Sequence, residues 1–260
     1  MLSIDHFSNP PPALPKDVLR LIPPDVPDFT SDTDAGRQLR AFYIQHKVFH
    51  VLTRRIFQPF LFTLGCRCGG VDAFLQKLSL GIRSKSERRE GAWRQITLRT
   101  AYAGAQAKKA IHLVAHKTAE EILCEIKWFA DEDKWSSLAY SVRCVVKAAA
   151  ELWRFARLER ELVTVSMPSD ASLAREGQCD LDSKSTQARE ETERTLVLAV
   201  TPHVARAAVH KDYLPQGTSE KGPMTFLQGL ALCNDSDVIL TRYREIMEFR
   251  AQLQQRSKAL

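Results

Sequence analysis

Glycine is scarce in this sequence, with 11 copies among 260 residues, most of them at turns. Neither a P-loop nor the G-x-G-x-x-G dinucleotide pattern occurs, so nothing here cradles a nucleotide phosphate. The G-x-S-x-G elbow that exposes a nucleophilic serine is missing too. No apolar run approaches the roughly 18 residues of a membrane span, so no membrane partner is expected. Asp5, His6 and Pro10-Pro11-Pro12 stand where a secretory leader would carry its apolar core, which argues for an intracellular protein. Strand-like alternation with hairpin turns is absent, and no period of about 20–50 residues repeats. Together these absences leave an all-α chain, an irregular multi-helix bundle that is not an enzyme.

Cysteine is also thin. The six cysteines, Cys66, Cys68, Cys124, Cys144, Cys179 and Cys233, are separated by 1, 55, 19, 34 and 53 residues. That spacing suits neither a disulfide scaffold nor a structural zinc site, which wants two pairs close together. The cysteines are expected to be reduced, several of them acting as small hydrophobes within helices. Two HxxxH pairs, His46/His50 and His112/His116, share helix faces and could hold a metal. A zinc protease needs Glu after the first His, where Lys47 and Leu113 stand instead. No Glu-x-x-His pair is present for a di-iron bundle. His46 falls on an apolar stripe and reads as a packed histidine. The sequence therefore assigns no catalytic, cofactor-binding or metal-ligating residue, and the alternative reading is a helical protein that uses the HxxxH pairs to bind a metal or small molecule, or to act as an enzyme.

What is present is charge and helical period. Charged residues make up 26% of the chain and the formal net charge is +6. Residues 1–34 carry seven of the twelve prolines and six aspartates against Lys16 and Arg20. They form an extended or disordered lead-in, because proline forbids a long helix. Residues 37–71 carry Arg37, Arg40, Lys47, Arg54, Arg55 and Arg67 with no acid. This basic stretch reads as a solvated face, or as a docking surface for acidic segments such as the chain's own leader.

The helical domain spans 35–260. Thr33-Asp34 caps a helix with Leu39, Phe42, His46, Phe49, Leu52 and Ile56 inward, kinked near Ile56 by Pro59 and ending near Gly65. A short helix is expected over 71–80 and a charged connector over 83–89. A long helix follows over 90–115, its face lined by Trp93, Ile96, Thr100, Ala103, Ala107, Ala110 and Val114. Thr118 and Glu121 form a capping box for another, carrying Ile122, Ile126 and Phe129. The next runs from Ser136 to Val165, with Lys147–Glu151 and Arg157–Glu161 as exposed i,i+4 pairs. A mobile, disordered linker occupies 168–187. A helix over 188–210 and a last helix after Asn234-Asp235-Ser236 complete the bundle.

Three segments resemble the regulatory (middle homology) region of fungal binuclear zinc-cluster transcription factors. The first is Arg55-Ile56-Phe57-Gln58-Pro59-Phe60-Leu61. The second extends from Trp93 past Asp131-Glu132-Asp133-Lys134-Trp135 to Ala148-Ala149-Ala150-Glu151-Leu152-Trp153. The third is Gln228-Gly229-Leu230-Ala231-Leu232 with Asn234-Asp235-Ser236. The resemblance implies a nuclear regulatory module of RNA polymerase II transcription. Its implied partners are other transcription proteins or parts of a longer factor, and a small-molecule effector. The family's CxxCxxxxxxC cluster cannot be formed from these cysteines, so direct DNA binding and a zinc cofactor are not expected of this chain. The early part of the family's helical region is likewise not matched, as in a shortened regulator. The Ile56–Leu61 ridge and the Trp128–Trp135 corner read either as plain core, where large aromatics gather, or as the carriers of partner contacts.

Overall fold

The computed structural model describes residue 7 and residues 14–20, 22–57, 69–170, 194–209 and 222–258. The helices are α1 (Lys16–Leu19), α2 (Asp34–Arg55), α3 (Gly69–Arg83), α4 (Glu87–Tyr102), α5 (Ala105–Ile126), α6 (Trp135–Ala156) and α7 (Asp237–Lys258). Five short strands join them: β1 (Val163–Ser166), β2 (Leu196–Thr201), β3 (His203–Arg206), β4 (Met224–Leu227) and β5 (Leu230–Cys233). The protein is mostly helical but not strictly all-α. None of its described helices is long and apolar enough to cross a membrane.

The core forms where α2, α5 and α6 pack together and β2 closes one side of α2. Thr33 caps α2 as its spacing predicts, its Oγ1 accepting from Gly36 N at 3.2 Å. Covered by α5, β2 and α7, the helix buries a wider face than one stripe. Leu39, Tyr43, Ile44, Val48, Val51 and Leu52 are all buried, while Phe42, His46 and Phe49 are half-buried. It ends at Arg55, earlier than expected, with Ile56 at its C-cap. Ile122, Ile126 and Phe129 are fully buried as their period requires. On α6 the inward stripe is Leu138, Val142, Val146, Ala150 and Trp153, and Leu152 faces water.

Several expected boundaries move. The helix break falls at Ala103-Gly104 rather than before Thr118, which is buried within α5. Gly104 costs more in a helix than the alanines beside it, whereas Thr118 tolerates burial in one. Consequently Leu98 and Tyr102 face inward on α4, while Ile96 is exposed. α3 opens at Gly69, ahead of the expected start at 71, and Ser86 starts α4 inside the supposed connector, its Oγ accepting from Arg89 N.

The all-α expectation fails at Val163–Ser166 and within 196–206 and 224–233. Val197, Leu198, Ala199 and Val200 are all buried, so β2 is a continuous apolar run. Such a run looks the same in a buried helix and a buried strand. Pro202 then stops any helix between β2 and β3, and β-branched Val163, Thr164 and Val165 favour the extended form. β2 pairs antiparallel with β5, and β3 lies between β1 and β4, both antiparallel to it. At Gly229 an added Cβ would sit 3.1 Å from His203 N, so the link between β4 and β5 passes close against β3. Residues 171–187 of the expected linker lie outside the described residues, as do Gln58 to Leu61 of the expected ridge.

Candidate interaction surface

From residue 22 the acidic leader does not trail away. Residues 22–33 lie along α2 and α7, fixed by groups the sequence places at helical spacing. Phe29 is 1% exposed and its ring centroid lies 5.1 Å from Tyr43 and 6.0 Å from Phe129. Arg40 Nη1 donates to Phe29 O at 2.6 Å and to Ser31 O at 3.3 Å. From α7, Arg242 Nε donates to Asp28 O, and its Nη1 donates to Glu245 Oε2 at 2.8 Å. Thr33 Oγ1 donates to the same Glu245 oxygen at 2.7 Å. Tyr243 OH donates to Asp25 O at 3.2 Å. Buried guanidinium groups satisfying backbone carbonyls hold an irregular segment well, since each unpaired carbonyl would be costly to bury.

Between this strapped leader and α7 runs a groove of about 910 Å³, walled by Pro24, Val26 and Pro27 on one side and Tyr243, Ile246 and Phe249 on the other. Only Ile239 and Arg242 of α7 are buried. Every described side chain from Met247 to Lys258 is exposed, so about three turns of helix overhang the body. Tyr243, Met247, Phe249 and Leu253 show 44, 64, 61 and 49% of their surface. An apolar face that continues a buried stripe into solvent marks a contact site.

A different polar cluster joins α3, α4 and the turn after α6. Arg94 is fully buried and donates to four acceptors: Glu90 Oε1 at 3.0 Å, Arg157 O at 2.7 Å, Glu159 O at 2.8 Å and Arg160 O at 2.8 Å. Ser79 Oγ donates to Glu90 at 2.8 Å. Gly91 lets the turn after α6 approach, for a Cβ there would stand 2.8 Å from Arg160 O. Arg157 is buried as well and donates to Val163 O at 3.2 Å. Burial, with Arg94 beside it, lowers its guanidinium to about 10. Arg157 is therefore enclosed rather than on an exposed face, contrary to the sequence pattern. α6 ends at Ala156, and the junction holds the carbonyls of the turn that follows it.

The remaining sequence candidates scatter. His46 Nδ1 lies 2.6 Å from Ala199 O, a contact in which the ring N–H donates to the carbonyl, and its ring stacks on His50 at 5.6 Å. Burial lowers the His46 pKa. His116 lies 4.0 Å from Glu120 on an exposed face. Among the described residues, no group of three His, Cys, Asp or Glu side chains could hold a metal ion. Cys66 and Cys68 fall outside them. Cys124 and Cys144 are exposed, and Cys233 is buried.

Ile56 and Phe57 belong to the core side, Phe57 meeting Trp153 edge-on at 5.4 Å. At the Trp128–Trp135 corner it is Phe129 that is fully buried. Trp128 is half-covered beneath Lys127, and Trp135 lies at the surface.

Nor is the basic stretch simply a solvated face. Arg37 pairs with Asp34 at 2.7 Å, Lys47 with Glu125 at 3.1 Å, and Arg54 and Arg55 both reach Glu121. Arg40, named in the basic stretch, does hold the leader, but sequence reasoning missed Arg94 and Arg242. A usable signal was present: each sits at an inward helical position, as the Glu90, Arg94, Leu98 spacing shows.

The described residues thus define a mainly helical protein with two small antiparallel sheets and an open groove along its last helix. Comparison of the chain with protein-family models, with curated proteins and with solved structures finds no match.

Proposed function

We propose that this chain is a regulatory and interaction module of the kind found in fungal zinc-cluster transcription factors, acting without a DNA-reading cluster of its own. The observation that carries the reading is the open groove beside α7, where large apolar side chains stay exposed next to a firmly strapped leader. In this reading the polar groups serve packing and contact rather than turnover. A partner or effector that binds one arrangement of leader and helix better than another shifts the population and so the output. The site of action is the nucleus.

Tethering the full chain to an unrelated DNA-binding domain upstream of a reporter tests the reading. Transcription is expected to change, and Phe249→Asp with Leu253→Asp to abolish the change. A reporter indifferent to the tethered chain overturns the proposal. In a gel-shift assay the isolated chain is expected to bind DNA weakly, without sequence preference, and to release it as salt rises. Salt-resistant, sequence-selective binding contradicts the absence of a reader.

A further inference from the structure

We infer that the α7 overhang and the leader groove together form a self-complementary surface, by which two copies of this chain pair antiparallel through α7. The inference names the partner of the surface described above and rests on that contact reading, not on the link to transcription.

Charge is the first observation. Residues 23–34 of the leader carry Asp25, Asp28, Asp32 and Asp34 and no lysine or arginine. All four aspartates are exposed. Residues 249–258 of the overhang carry Arg250, Arg256 and Lys258 and no acid, and these too are exposed. Within one copy the leader is hydrogen-bonded to the first half of α7, at Arg242, Tyr243 and Glu245, while Arg250 lines the groove that Asp28 also lines.

Geometry then selects the arrangement. A two-fold interface requires that if residue i meets j, then j meets i. With the axis between Phe249 and Arg250, Ile246 of one copy faces Leu253 of the other, and Tyr243 faces Arg256. Arg256 thereby lies beside the neighbour's Asp25, whose carbonyl Tyr243 holds. The apolar stripe Ile246, Phe249 and Leu253 is closed by its own copy, and the basic tail of each helix reaches the acidic leader of the other. A guanidinium over the Tyr243 ring adds a cation–π contact. A parallel pairing would instead set the three basic residues of the tail against one another.

The overhang itself supplies the last argument. About three turns of helix with no covering body are marginal alone in water, since helical stability comes chiefly from packing an amphipathic face. A second copy provides that packing.

Sedimentation velocity of the full chain over about a hundredfold concentration range tests this, because mass action makes the dimer concentration-dependent. A monomer–dimer equilibrium is expected, the dimer having twice the 29.4 kDa chain mass, and rising salt is expected to weaken it. Phe249→Asp with Leu253→Asp is expected to leave only monomer with an unchanged far-UV spectrum, as both side chains are exposed in the single copy. Arg256→Glu with Lys258→Glu is expected to weaken association by about tenfold or more. Adding Asp25→Lys to that pair is expected to restore it. Wild-type chain that stays monomeric at every concentration overturns the inference. So does a dimer indifferent to Phe249 and Leu253, or a charge swap that restores nothing. A dimer with a silent reporter would remove the transcription reading alone, and an active reporter with a strict monomer would remove this one alone.

Discussion

The Arg94 junction and the α7 groove are built from the same residue type and behave as opposites. At the junction one guanidinium is wholly enclosed and donates to Glu90 and to three carbonyls of the turn after α6. At the groove Arg242 is enclosed in the same way, but Arg250, Arg256 and Lys258 follow it into water. An arginine ringed by carbonyls fixes a chain path, because removing it orphans buried acceptors. One standing free beside an apolar stripe fixes nothing in its own copy and is available to a partner. The first region holds the fold, and the second carries the contacts.

The comparison breaks most sharply at Arg94. Arg94→Ala leaves Glu90 charged and buried beside Ser79, and is expected to cost about 3–5 kcal/mol in urea unfolding, as for other broken buried pairs. Loss of less than about 1 kcal/mol would place the junction among ordinary surface contacts. Gly91→Ala should follow, at about 1–3 kcal/mol, because its methyl group enters the space of Arg160 O. At the groove, Phe249→Asp and Leu253→Asp are each expected to change unfolding of the single copy by no more than about 0.5 kcal/mol. A large loss there would show the overhang to be part of the core.

The smallest expected effect concerns His46. Burial holds its folded pKa below the ordinary 6.5. The unfolded chain therefore takes up protons that the fold resists as pH falls. The stability contributed by neutral His46 is complete above 6.5 and is lost as pH drops below that value. Melting curves across this window should show a steeper acid decline for wild type than for His46→Gln. Parallel declines would mean that the Ala199 contact tolerates the charged ring.

How much of this is legible in the sequence depends on what each signal measures. The Thr33 cap, the Ile122-Ile126-Phe129 face and the start of α7 are local patterns, and the structure carries them as read. The strands are not legible. Val197 to Val200 is apolar at every position, so period cannot separate strand from helix there, and only pairing with β5 decides it. The groove is half legible. The apolar positions Tyr243, Ile246, Met247 and Leu253 recur at helical spacing, but a stripe does not say where the body beneath it stops. The arginine anchors were hidden by the assumption that charge lies outward. Arg94 and Arg242 occupy inward positions because tertiary carbonyls await them, and those carbonyls come from segments 63 and 214 residues away.

Amide hydrogen exchange along α7 tests the central claim, that this helix is anchored at one end and completed by a partner at the other. Amides of residues 240–246 should be protected at every protein concentration, anchored through Ile239 and Arg242. Those of 247–258 should exchange fast in dilute solution and become protected as concentration rises, in step with the dimer. Equal protection of both halves at all concentrations, or fast exchange of the second half at the highest, would contradict the account.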